Sequence, residues 1–270
     1  MSPHPLDLAT TLEPLGEGRF RGRTHPAYWN MAGPFGGATA ALMMQAVLAH
    51  PERRGRPVAQ TVNFCAAVAK GEFEITVELV RDGRSTQHWN AVMRQGEVVV
   101  TTASFVTGAE RDTWAHAPKS PPKVPPAAEV APIPTAGRMP WFDRYEFRVM
   151  SGRTVFDLDP PGELAPADTL VWMRDLPERP LDYVALSALA DTFLVRILLV
   201  RGHMAPVATV SLTTYFLANE ATLAAQGSRP LLGLADARAF RHGFADQSAE
   251  LWGDDGVLLA VSHQVTWFKE

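Results

Sequence analysis

The chain is written twice, and no other feature limits its fold as strongly. Arg81-Asp82-Gly83 falls opposite Arg241-His242-Gly243 at an offset of 160. At that offset Gln87 meets Gln247, Gly96 meets Gly256, and Val98-Val99-Val100 meets Leu258-Leu259-Ala260. Upstream the offset is 148, where Thr61-Val62-Asn63-Phe64 meets Thr209-Val210-Ser211-Leu212. A helical-looking insert over 218–228 absorbs the difference. Several matches in one order at a near-constant offset are the mark of a duplicated unit.

The copies are separated by a segment that can be neither helix nor central strand. Eight prolines stand between Pro118 and Pro140. Each removes a backbone donor and fixes φ. Residues 109–140 therefore read as an extended, semi-rigid linker between pieces 1–108 and 141–270.

Each piece reads as one helix followed by four strands. Gly36-Gly37 opens the run ATAALMMQAVLAH, apolar on nearly every side, which must be wrapped by protein. Segments rich in Val, Phe and Thr predict strands over 57–66, 71–82, 86–95 and 97–107. The second piece repeats this with a helix over 184–201 and strands over 205–217, 230–240, 244–253 and 256–268. Edge strands are predicted near 16–24 and 143–150. Short turns imply antiparallel hairpins. The fold class is α+β: two antiparallel sheets, each wrapped around a central helix and joined into one continuous sheet.

Composition removes several function classes. With 25 Lys+Arg against 29 Asp+Glu, the net charge of −4 gives no footprint for nucleic acid. The single cysteine, Cys65, excludes an internal disulfide or a multi-cysteine metal site, and it reads as core. No G-x-S-x-G elbow and no Gly-Lys pair occur, which disfavours a serine hydrolase and a P-loop. None of the eight histidines has Asp five positions earlier, the usual mark of a hydratase of enoyl thioesters. The N-terminus lacks the features of an export signal, and Asp191 and Arg196 interrupt the most apolar stretch. The expected location is cytoplasmic, away from any membrane.

Two stretches of the first piece, PLGEGRFRGRTHPAYWNMAGPFGGATAALMMQA and LVRDGRSTQHWNAVMRQGEVVVTTASF, resemble the acyl-CoA thioesterase II-like (TesB-type) double hotdog family. In the second piece SALADTFL, VATVSLTTYF and GVLLAVSHQVTWF resemble that family's helix and last strands. The resemblance implies an N-terminal hotdog, a linker and a C-terminal hotdog, assembled as a homodimer of double hotdogs. It implies an acyl-CoA substrate of medium chain or aromatic type, and no cofactor. Asp191, Thr209 and Gln264 occupy the positions that hold the attacking water in the family. The family's basic run after the Thr strand is absent, since SLTTYFLANE holds no His, Arg or Pro. That leaves a second reading open, a non-catalytic acyl-CoA-binding hotdog protein.

The chemistry suits these residue types. Asp191 is the one acid of an apolar helix, and burial moves a carboxylate toward the range of a useful base. Thr209 and Gln264 can orient a water without ionising. Gly36 and Gly37 are candidate substrate-binding positions, because a helix N-terminus offers N–H groups to a developing oxyanion, and Gly37 N–H is assigned that part. Leu258, Ala260, Ser262, Gln264 and Thr266 share one strand face. Met43, Met44 and Phe193 are expected to line the acyl slot. Trp89, Trp252 and Trp267 read as either aromatic contacts or core, and His263 has no assigned role.

Overall fold

The structure is a computed structural model that describes residues 3–154 and 164–269. The first half holds α1 (Pro5–Ala9), β1 (Glu13–Gly16), β2 (Arg19–Arg23), α2 (Gly36–Leu48), β3 (Arg56–Phe64), β4 (Glu72–Asp82), β5 (Thr86–Gln95) and β6 (Val98–Gly108). The second holds β7 (Tyr145–Ser151), β8 (Thr169–Asp175), α3 (Tyr183–Leu189), α4 (Arg196–Arg201), β9 (Val207–Phe216) and α5 (Glu220–Gln226). It ends with β10 (Leu231–Asp236), β11 (Phe240–Arg241), β12 (Phe244–Trp252) and β13 (Leu258–Phe268).

All these strands belong to one 13-stranded sheet, in the order β1-β2-β4-β5-β6-β3-β9-β13-β12-β10-β8-β7, with β11 paired to β12. Outward from the β3–β9 seam, β3, β6, β5, β4, β2, β1 are mirrored by β9, β13, β12, β10, β8, β7. The seam is antiparallel from Ala59↔Tyr215 to Asn63↔Ser211, and the Thr61 and Thr213 hydroxyls meet across it at 2.9 Å. The continuous antiparallel sheet anticipated from the duplication is therefore present.

Each half curls around its helix. Ten of the thirteen residues of α2 are buried, including Met43 and Met44 at 0% exposure. Fully burying a side chain of that size contributes about 1.5–3 kcal/mol. The N-terminus of α2 abuts α3 so closely that a Cβ on Gly37 would lie 2.4 Å from the Ala188 carbonyl oxygen. Only glycine fits there.

The linker segment 118–140 carries one 3-10 turn, Ala127–Glu129, and no strand. It lies against the sheet face turned away from the helices. There Trp172, Leu232 and Trp252 form a small apolar cluster that packs on Val124, Ala127 and Val130. The Trp172 indole N–H donates to Pro125 O at 3.0 Å, and Arg148 donates to Ala127 O and Val130 O.

Six details differ from the sequence reading. The helix expected over 184–201 is two helices, α3 and α4, interrupted between Ala190 and Val195. Thr192 turns its hydroxyl back onto Leu189 O at 2.8 Å, satisfying a terminal carbonyl that a continuing helix would have used. The strand expected over 230–240 divides into β10 and the short β11, and β8 was not anticipated. The edge strand near 16–24 is a hairpin that turns through Glu17, at φ 52, and Gly18. The offset of 160 is not constant: Gln95↔Val98 closes the first hairpin over two residues, whereas Trp252↔Leu258 closes the second over five. Element order is duplicated, but register across that turn is not. Cys65 is exposed rather than core, its Sγ resting on Asn63 O.

Candidate active site

The break in the second helix is what positions the chemistry. Asp191 follows the C-cap of α3 and faces the first turn of α2. The Gly37 N–H donates to its carboxylate. A Cβ on Gly36 would lie 2.6 Å from Asp191 Oδ2, so glycine at 36 lets the carboxylate approach. The first-turn amides of a helix have no intrahelical acceptor, and that end favours an anion. A second anchor holds the break in place: Ser262 Oγ on β13 donates to Ala190 O at 3.3 Å.

Gln264 reaches the same carboxylate from the sheet. Its Nε2 donates to Asp191 Oδ1 at 2.7 Å and to Thr209 Oγ1 at 2.8 Å. Thr209 reaches it because of a register shift. Leu212 pairs with Gln264, but Thr209 pairs with Thr266, so β9 has one extra residue between them. In a regular strand, residues 209 and 212 would face opposite sides of the sheet. The bulge turns both inward and leaves Val210 exposed, a device often found beside active sites.

The electrostatics follow from burial. Asp191 is 7% exposed, and loss of hydration pushes its pKa up to about 7; the Gln264 and Gly37 donors partly offset this. Both Gln264 amide hydrogens are used, and its buried Oε1 has no partner among the described residues.

These groups open on a cleft of about 350 Å³. Gly36, Asp191, Thr209 and Gln264 line it together, with Arg138 and Asn30 adding polar atoms. Its apolar wall is a stack of rings. Phe35 lies on Trp141 at 4.3 Å and 4°, and Trp141 lies on Phe142 at 4.0 Å. A smaller slot of about 60 Å³ adjoins it, sharing Phe142, Phe193 and Leu194.

Asp191, Thr209 and Gln264 are thus brought into direct contact. Gly36 lines the cleft, whereas Gly37 directs its amide at Asp191 instead of at the cleft. Phe193 lines both cavities. Met43 and Met44 do not, because α2 is wrapped on all sides and they face its core. Trp89 and Trp252 are buried core residues, and Trp267 is exposed on the strand face opposite Gln264. The aromatic wall went unread in the sequence. Its one signal was Trp141-Phe142 directly after the last linker proline.

The family model for the acyl-CoA thioesterase N-terminal domain matches residues 25–108, and that for the acyl-CoA thioesterase C-terminal domain matches residues 118–268. Among solved structures, a conserved protein of unknown function with a hot dog fold from Alicyclobacillus acidocaldarius is 43% identical. That match covers 100% of this chain and 99% of the other, with a TM-score of 0.94. Acyl-CoA thioesterase II TesB2 from Mycobacterium marinum is 19% identical over 98% of each chain, with a TM-score of 0.76. A tesB protein from Mycobacterium avium subspecies paratuberculosis is 17% identical over 98% of each, with a TM-score of 0.78. No curated protein matches the sequence.

Proposed function

Because the chain belongs to the acyl-CoA thioesterase family through both its N-terminal and its C-terminal domain, and is a thioester hydrolase, we propose that it cleaves medium-chain or aromatic acyl-CoA with a water activated by Asp191. The observation that carries this reading is the buried contact of Asp191, Gln264 and Thr209 at the edge of the cleft.

In this reading the acyl group lies along the Phe35–Trp141–Phe142 wall, with its carbonyl at the N-terminus of α2. Asp191 in its carboxylate form accepts a proton as water oxygen attacks the thioester carbon. The Thr209 hydroxyl, whose oxygen accepts from Gln264, donates to that water, and the Gln264 amide holds Asp191 and Thr209 on either side of it. The carbonyl π electrons move to oxygen. Gly37 N–H already serves Asp191, so Gly36 N–H, at the cleft, is the donor assigned to the oxyanion. Collapse of the adduct breaks the carbon–sulfur bond. The proton held by Asp191 passes to sulfur, giving free acid and coenzyme A thiol. A pKa near 7 suits both halves of that transfer. Arg138, on the cleft, is the cation assigned to the coenzyme A phosphates in place of the absent basic run.

The test is thiol release from a panel of straight-chain and aryl acyl-CoAs. Turnover by the native protein that collapses in Asp191→Asn supports the proposal. Acyl-CoA binding with no thiol release would instead establish a binding protein.

A further inference from the structure

The slot beside the cleft carries a charge that the hydrolysis above does not use. Its walls are apolar, contributed by Phe147, Val149, Val171, Met173 and Leu199 among others. Arg196 lines it at 1% exposure. Its guanidinium donates from Nε to Leu194 O at 2.8 Å, and from Nη1 to Thr169 Oγ1 at 2.6 Å and Ala167 O at 3.4 Å. All three acceptors are neutral. Its Nη2 has no partner, and no carboxylate lies within salt-bridge distance, among the described residues. Arg153 lines the same slot, and among the described residues no Asp or Glu does.

An arginine buried without a counter-ion is costly, and removal from water alone pulls Arg196 down to about 10, with Asp236 and Asp168 acting only through space. Three neutral hydrogen bonds hold the guanidinium in one orientation but leave its charge unmatched among the described residues. An entering carboxylate would match it and could take the unused Nη2 edge.

The slot is also placed to receive the far end of an acyl group. Thr192, Phe193 and Leu194 run from Asp191 to Arg196, and Phe193 and Leu194 line both cavities. A chain whose thioester sits at Asp191 can follow this strip into the slot. Five residues of extended backbone span at most about 16–18 Å, which bounds the reach to an acyl chain of ordinary length.

We infer that the slot selects acyl-CoAs whose acyl chain ends in a carboxylate, with Arg196 as the residue that binds that end and Arg153 as a second cation beside it. The inference rests on the thioesterase reading only for where the thioester sits, so binding and turnover test the two separately.

The experiment measures dissociation constants of octanoyl-CoA and its ω-carboxy counterpart, suberyl-CoA, on full-length Asp191→Asn protein by calorimetry. Thiol release from both is followed with the native enzyme. We expect suberyl-CoA to bind roughly 10–100-fold tighter, the range for a charge-assisted pair made in a desolvated site. The double variant Asp191→Asn/Arg196→Met should bring that ratio to one or below. Asp191→Asn/Arg196→Lys, which keeps the charge but loses the fork, should leave an intermediate ratio. If Arg196→Met does not fold, Arg153→Met serves instead and should lower the ratio by a smaller factor. Equal binding of the two ligands, or a ratio that neither arginine variant changes, overturns the inference. Failure of the native enzyme to release thiol overturns the hydrolytic assignment and leaves the binding ratio as the measure of the slot.

Discussion

The two halves put the same residue type to different uses, and the buried glutamines on their strands show this best. Gln60, in the first half, has a partner at each of its polar atoms. Its Nε2 donates to Ala40 O at 2.7 Å, and its Oε1 accepts from Ser187 Oγ at 2.7 Å. Gln87 is saturated, accepting from Arg54 N and Thr107 Oγ1 and donating to Glu52 O and Asp82. In the second half, buried Gln247 and Gln264 each leave Oε1 without a partner among the described residues. The helices differ in the same sense. α2 runs unbroken for 13 residues, while its counterpart stops at Leu189 and restarts at Arg196. A satisfied buried network stiffens a fold, whereas an unsatisfied one costs stability and is kept for another reason. The first half is scaffold, and it lends the N-terminus of α2. The second half holds the Asp191 carboxylate, the Gln264 and Thr209 side chains joined to it, and most of the slot beside the cleft.

The sharpest attempt to break this division is Asp191→Asn. The amide keeps the shape and most of the hydrogen bonding but cannot accept the water's proton. We expect kcat for the best acyl-CoA to fall by roughly 10²–10⁴, the range for general-base catalysis, with binding retained. Undiminished turnover would remove Asp191 from the mechanism. Next in size are Gln264→Ala and Thr209→Ala. Thr209→Ala deletes one orienting contact and should lower kcat by about tenfold, in line with the worth of a single hydrogen bond, while Gln264→Ala deletes two and should cost more. Combined with Asp191→Asn they should add little, because the three act as one unit.

Gln60→Ala is the control from the other half. It strands the Ser187 hydroxyl in the interior and removes the bond to the Ala40 carbonyl, which keeps only its helical partner. Stability in urea should drop by about 1–3 kcal/mol while kcat/KM changes less than in Gln264→Ala. If Gln60→Ala lowers kcat as far as Gln264→Ala does, the halves are not divided as described.

How much of this was legible in the chain depended on whether the signal was local. The duplication, the apolar run of α2 and the alternating strands are carried by neighbours in sequence, and they gave the continuous sheet. Asp191, Thr209 and Gln264 stood out through motifs resembling a family, and their contact is present. Three things lay beyond sequence patterns. The bulge that turns Thr209 inward needs an extra residue on β9 relative to β13, which only the pairing reveals. The helix break depends on Thr192 folding back and on α2 supplying a positive pole, both tertiary effects. The Phe35–Trp141–Phe142 wall joins residues more than a hundred positions apart, and nothing near Phe35 announces a partner just after the linker. Met43 and Met44 failed as slot residues for a related reason. Adaptable side chains fill a core as readily as they line a pocket.

The pH dependence separates the halves more finely. If Asp191 is the base, activity requires its ionised form, so kcat/KM should rise with pH and level off above about 7. The limb should be close to tenfold per pH unit, because one proton is lost. A limb near the ordinary carboxylate value, about 4, would point to a different, solvated base.

The smallest expected effect comes from the same shift read as stability. The folded pKa of Asp191 lies above its unfolded value, so between about 4 and about 7 the native state binds more protons than the unfolded chain. Stability from this group is therefore present in full below about pH 4 and is lost as pH rises through about 7. Asp175, buried and without Arg or Lys contact to Oδ1, is pushed up to about 7 by the same loss of hydration and has the same sign. Both acids lie in the second half. At pH 8, Asp175→Asn should raise the urea midpoint, while at pH 4 it should leave it nearly unchanged. Thiol release should persist in that variant, since Asp175 does not line the cleft. A midpoint raised equally at both pH values would show that packing, and not the buried charge, sets the difference.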